Sequence, residues 1–148
     1  MKKMLMTAIQ TSISEVMETM FFLPVEFGQE LKFTQSGMDE KNMACELTFT
    51  GDACESLILM APESLVAQMT ENFMGEPLEK LTKEHLSGTL TEMLNMVCGN
   101  ALSKINAKIP FGLGFPKMID GSKISGKEVF TIVETTESKM AILLTVDL

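Results

Sequence analysis

A chain of 148 residues with 45% apolar side chains can build one domain around a real core. Its formal net charge of −8 sets aside polyanionic partners, because nucleic acids and anionic membranes are held by basic surfaces; a protein or a small ligand is left as the partner. Cys45, Cys54 and Cys98 show no C-x-x-C spacing and sit in apolar or strand-like surroundings, which reads as reduced, buried thiols of a cytoplasmic protein.

The start, Met1-Lys2-Lys3-Met4-Leu5-Met6, imitates a signal peptide, but Gln10, Ser12, Ser14 and Glu15 interrupt the apolar run. Nowhere does the chain approach the run of about 18 apolar residues that a membrane span needs. The first helix is expected over Met4–Phe22, with Leu5, Ile9, Ile13, Val16, Met17, Met20 and Phe21 on one face and a stop at Pro24. Strand-like runs follow at Val25–Thr34, at Asn42–Thr50 with Cys45, Leu47 and Phe49 alternating, and at Glu55–Met60; Gly37 and Gly51-Asp52 mark the turns. Pro62 suits the first position of a short helix through Leu65, Val66, Met69 and Phe73, closed by Gly75. Most of the 14 methionines recur at helical spacing on apolar faces and read as adaptable core filler.

A long helix is expected over Thr82–Ala107, with Thr82 as its N-cap. At 100° per residue, Leu90, Met93, Leu94, Val97, Cys98, Ala101 and Ile105 share one face, and Gly88, Glu92, Asn95, Gly99, Ser103 and Asn106 the opposite one. An ordinary solvated face carries long charged side chains. This one sets a carboxylate and an amide three residues apart, with a glycine four residues outside each, although each glycine costs a helix about 1 kcal/mol relative to alanine. The glycines suggest close approach by another backbone. After Pro110, strands are expected at Gly114–Ile119, Glu128–Glu134 and Met140–Asp147.

Helix followed by three strands thus occurs in each half, about 4–75 and 82–148, within one domain over 1–148. An offset of 77, which carries residue 15 onto residue 92, aligns Ile13, Val16, Met17, Met20 and Phe21 with Leu90, Met93, Leu94, Val97 and Cys98. The same offset sets Glu15 on Glu92 but Glu18 on Asn95, Thr11 on Gly88 and Phe22 on Gly99. The first copy therefore lacks the amide and both glycines. A carboxylate only accepts hydrogen bonds and repels a phosphoryl group, whereas an amide also donates.

Glu92-x-x-Asn95 followed by Gly99 resembles the signature helix of the CheC, CheX and FliY family of chemotaxis phosphatases. Gly114-Phe115-Pro116-Lys117-Met118-Ile119-Asp120-Gly121 is similar to the Pro-then-Gly segment that follows this helix in CheX-like members. One intact motif, where CheC-like members carry two, places the resemblance with CheX. It implies an α+β fold, two long helices packed on a largely antiparallel sheet with internal duplication. It also implies hydrolysis of the aspartyl phosphate of a CheY-type receiver in chemotaxis or related two-component signalling. Asn95 would orient the attacking water and Glu92 would pair with the receiver's lysine. No cofactor of the chain's own is implied, Mg²⁺ coming with the receiver, and a homodimer is implied as well. The apolar C-terminal strand Met140–Val146 supports a dimer independently, since as a bare edge it would invite aggregation. The alternative is a CheX-like module that binds or dimerises in signalling without hydrolysing anything.

The remaining motifs carry less. His85, the only histidine, lies about 10 Å along the helix axis from the pair and reads as a cap or rim residue. One histidine and scattered cysteines offer no metal-ligand spacing. Gly112-x-Gly114 precedes a strand, so it lacks the helix dipole of a phosphate-cradling loop.

Overall fold

The computed structural model describes residues 2–36, 38, 41–50, 54–105, 112–121, 124 and 126–147. The turns expected at Gly37 and Gly51-Asp52, residues Asn106 and Ala107 and the side chain of Cys54 fall outside the described parts, and the long helix expected to reach Ala107 ends at Lys104, with Ile105 already extended. Among the described residues three α-helices, α1 (Lys2–Met20), α2 (Glu63–Met74) and α3 (Lys83–Lys104), accompany a sheet whose pairings are all antiparallel. Its strands are β1 (Glu26–Lys32), β2 (Asn42–Thr50), β3 (Cys54–Pro62), β4 (Gly112–Leu113), β5 (Lys117–Ile119), β6 (Val129–Glu134) and β7 (Lys139–Asp147). Their order is β1-β6-β7-β3-β2-β4, with β5 also pairing β2. The α+β expectation holds.

Alternation along the strands sorts the core into two layers. Cys45, Leu47 and Phe49 of β2, Leu57, Leu59 and Ala61 of β3, and Met140, Ile142 and Leu144 of β7 pack with the apolar faces of the helices. Ile58 of β3, Phe130 and Ile132 of β6, and Ala141 and Leu143 of β7 point to the opposite side, where Met38, Leu31, Phe33, Ile119 and Ile124 cover them. Burial on both faces is why β3 and β7 read as almost unbroken apolar runs.

That position corrects the expectation of a C-terminal edge. β7 is hydrogen-bonded to β6 on one side, Ile132 opposite Ala141, and to β3 on the other, Ile58 opposite Leu143. Among the described strands the edges are instead β1 and the interrupted pair β4 and β5. A second correction concerns the strand expected over Gly114–Ile119. Gly114 still holds the register, its N–H reaching the Thr48 carbonyl at 2.7 Å, and the ladder is interrupted at residues 115–116, where Pro116 has no N–H to offer. A Cβ on residue 114 would stand 2.8 Å from that carbonyl oxygen, a close approach only glycine permits.

Helix ends follow local chemistry. Thr82 caps α3: its hydroxyl accepts from His85 N–H at 3.2 Å, while its own N–H donates to His85 Nδ1 at 3.1 Å. The histidine thus fills the place that glutamate takes in a capping box. Gly75, at φ 69, ends α2 in the left-handed region as expected, but Pro62 is the residue before α2 rather than its first.

Helix α1 stops two residues earlier than its apolar spacing suggests. Phe21 is fully buried, its ring 5.6 Å from that of Phe73, and Asn72 Nδ2 donates to the Phe21 carbonyl at 2.7 Å. The chain then turns through Phe22, which is 67% exposed and sits at φ 57. A left-handed conformation costs a residue with a Cβ roughly 1–2 kcal/mol. Phe22→Gly is therefore expected to raise stability, by about 0.5–1 kcal/mol after glycine's extra unfolded-state entropy is subtracted. Urea unfolding at constant m-value measures it, and a lower midpoint would refute the strain.

Candidate functional site

Helix α3 lies against α1, α2 and β2 and buries Leu86, Leu90, Met93, Leu94, Val97, Cys98 and Ala101. Met93 and Leu94, at 0% and 1% exposure, lie between Glu92 and Asn95 in sequence and lock the helix rotation that turns the pair outward. Both members of the pair are exposed. One turn apart on one face, their Cβ atoms are about 5–6 Å apart. Among the described residues neither side chain forms a hydrogen bond or an ion pair, so both are open to a partner. Thr91, next to the pair, is committed to its own helix, donating to the Ser87 carbonyl at 3.0 Å.

The framing glycines are bare as well. Around the position of a Cβ on Gly88 nothing stands within 4 Å, and around that on Gly99 only Leu113 Cδ1 does, at 4.0 Å. Packing among the described residues therefore requires neither glycine. Ser103 is exposed on the same stripe, and Asn106 is among the residues not described.

Two flanks border the stripe. On one, Asn100 Nδ2 donates to Glu15 Oε2 at 2.8 Å and Lys104 Nζ to Glu15 Oε1 at 3.1 Å, tying α3 to α1. These bonds, the Asn100 amide first and Lys104 second, hold the Glu15 carboxyl below the usual carboxylate range. The other flank is the β4–β5 edge, met at Leu113 beside Gly99. Neither flank is visible in the periodicity of α3: the tie joins residues 85 and 89 positions apart, and the edge belongs to a strand expected to be regular.

Cys45 and Cys98 are buried, and Cys45 Sγ donates weakly to the Leu90 carbonyl at 3.8 Å. Burial pushes the Cys45 thiol up to about 12. Cys98 is also raised, by burial and then by Cys45 beside it. Both stay protonated at neutral pH and are not nucleophiles. His85, half-buried in its cap, is one helix segment away from the pair. Among the described residues no helix is long and apolar enough to cross a membrane.

Long helices packed on one antiparallel sheet, with the Glu92-x-x-Asn95 pair exposed on one of them, are a fold shared with the class of CheX, CheC-like and FliY proteins. Within that class the family described as "Chemotaxis phosphatase CheX" matches residues 43–135, which is more than half of the chain and includes Glu92 and Asn95, and the chain belongs to that family. Solved structures share the fold. A CheX chemotaxis protein from Vibrio vulnificus superposes with a TM-score of 0.78 at 17% identity, covering 97% of this chain and 96% of the other. A chemotactic CheC-like protein from Shewanella oneidensis gives 0.78 at 20% identity, over 99% and 100%. The CheX-CheY-BeF3-Mg²⁺ complex from Borrelia burgdorferi gives 0.79 at 15% identity, over 97% of each chain. No curated protein matches the sequence.

Proposed function

We propose that the chain hydrolyses the aspartyl phosphate of a CheY-type receiver, with Asn95 and Glu92 as the two working residues. The observation that supports this most is the unengaged pair on a helix face that nothing among the described residues occupies. An acyl phosphate is already labile, and the receiver brings Mg²⁺ and a lysine, so a positioned water is what remains to be supplied. The Asn95 amide can accept from that water and donate to the phosphoryl group, and the Glu92 carboxylate can pair with the lysine. The chain needs no cofactor of its own in this scheme. The CheX relative captured with CheY, BeF3 and Mg²⁺ is the precedent for such a partner.

The duplicated plan belongs to the same proposal. Helix α1 with β1, β2 and β3 answers to α3 with β4–β5, β6 and β7, and β3 and β7 lie side by side at the centre of the sheet. In the first copy Glu15, the counterpart of Glu92, is spent on the tie to α3. Glu15→Ala and Glu18→Ala should therefore leave receiver dephosphorylation within a few fold of wild type. With Glu15 side chain 49% and Lys104 34% exposed, the tie is a surface one of small worth. Because the Glu15 carboxyl is held low, the tie's contribution is complete above the ordinary carboxylate value and fades only as pH falls through the lowered one. A loss in Glu15→Ala as large as that in Asn95→Ala would mean that both halves build one site. A homodimer rests on the resemblance alone, since β7 is covered on both sides.

The experiment is phosphate release from phosphorylated CheY-type receivers of the same genome, with and without this protein. Faster release supports hydrolysis. Binding without acceleration replaces it with the docking module.

A further inference from the structure

The β4–β5 edge exposes more apolar surface than a solvated rim requires. Leu113 is paired opposite Phe49 and Met118 opposite Cys45, and both of those β2 residues belong to the helix-side core. Directly opposed residues share a face of the sheet, so Leu113 and Met118 stand on the α3 side, 42% and 37% exposed. Phe115, between them in sequence, is 93% exposed. Leu113 is also the atom group nearest the bare Gly99 of the Glu92–Asn95 stripe. The apolar edge and the polar stripe are thus continuous.

Two occupants suit an apolar sheet edge, a strand from a second copy or a partner seated on side chains. Strand addition needs a run of unpaired N–H and C=O groups. Here the strands are two and three residues long, the backbone departs from the ladder between them, and Pro116 has no donor. The backbone is unsuited to a second copy, whereas the side chains border the face on which the receiver would act.

We propose that Leu113, Phe115 and Met118 form the apolar half of the receiver-docking surface, with Phe115 as its anchor. The partner would be a receiver domain with an apolar depression beside its phosphorylated aspartate. This rests on the receiver reading given above and adds to it a division of labour: the edge holds the partner, and Glu92 with Asn95 acts on the phosphoryl group. Aromatic side chains at the centre of interfaces typically carry a disproportionate share of affinity.

The test compares wild type with Phe115→Ala, a substitution that an almost fully exposed side chain allows without loss of packing. Receiver dephosphorylation is measured against protein concentration, alongside binding to the BeF3-treated receiver and the mass by light scattering. Phe22→Gly, which removes a second exposed phenylalanine that is not part of the β4–β5 edge, is the control. Expected for Phe115→Ala are a half-saturating concentration and a Kd about tenfold higher or more, a maximal rate within twofold of wild type, and an unchanged mass. Phe22→Gly should move none of these. If wild type binds the receiver without speeding hydrolysis and Phe115→Ala weakens that binding, the docking surface stands and the hydrolytic reading falls. Unchanged half-saturation and Kd in Phe115→Ala would overturn the docking surface alone. A drop in mass in that variant would give the edge to a second copy, and wild type that binds no receiver would overturn both.

Discussion

Asn95→Ala should lose most of the accelerated dephosphorylation, about 10²- to 10³-fold in maximal rate or roughly 3–4 kcal/mol, while its affinity for the receiver stays within a few fold. The split follows from where the amide acts. In the proposed scheme it would touch a water and a phosphoryl group, contacts that strengthen chiefly in the transition state, so their loss would appear in rate rather than in binding. The fold is not at stake, because Asn95 is exposed, bonds to nothing among the described residues, and alanine is the better helix former. Glu92→Ala is the informative contrast. An ion pair to the receiver's lysine contributes to encounter as well as to the transition state, so this variant should weaken both. Full activity in Asn95→Ala would end the enzymatic reading whatever the binding data show.

The parts legible in the sequence are those set by local physics. The 3.6-residue apolar period locates the three described α-helices, Thr82 and Gly75 punctuate them, and the alternation of Cys45, Leu47 and Phe49 sets these three on one face of a strand, the face the structure turns to the helices. What stayed hidden depends on neighbours far along the chain. Met140–Val146 is apolar whether it lies at the edge or at the centre, and only its pairing with both β6 and β3 decides. Apolar spacing overruns the end of α1 because Phe21 and Phe22 look alike in a pattern. In the fold one ring is buried against Phe73 and the other faces solvent at positive φ. The candidate site divides the same way. Glu92, Asn95 and the glycines share one stripe of one helix, so spacing sufficed to group them. Glu15 on one flank and Leu113 on the other reach that stripe only through tertiary contacts, and no spacing within α3 points to either.

Gly99→Leu should block the complex while leaving the protein folded. A Cβ at residue 99 would meet only Leu113 Cδ1, at the ordinary contact distance of 4.0 Å, and the helix would gain up to about 1 kcal/mol of propensity over glycine. Urea unfolding should therefore show an equal or higher midpoint. Receiver dephosphorylation should nonetheless fall by more than about tenfold, and binding to the BeF3-treated receiver should fall with it, because an isobutyl group would stand where the proposed partner's backbone would approach. Loss of binding distinguishes this variant from Asn95→Ala, which loses rate alone. Gly88→Leu provides the matched case at the other end of the stripe, where nothing among the described residues lies within 4 Å of the added Cβ. Equal losses in both would mean that the partner spans the whole stripe, from before Glu92 to beyond Asn95. A loss confined to Gly99→Leu would place the partner on the Leu113 side. A Gly99→Leu protein that binds and dephosphorylates like wild type would show that no partner comes close to this turn, and the glycine frame would then have no functional meaning.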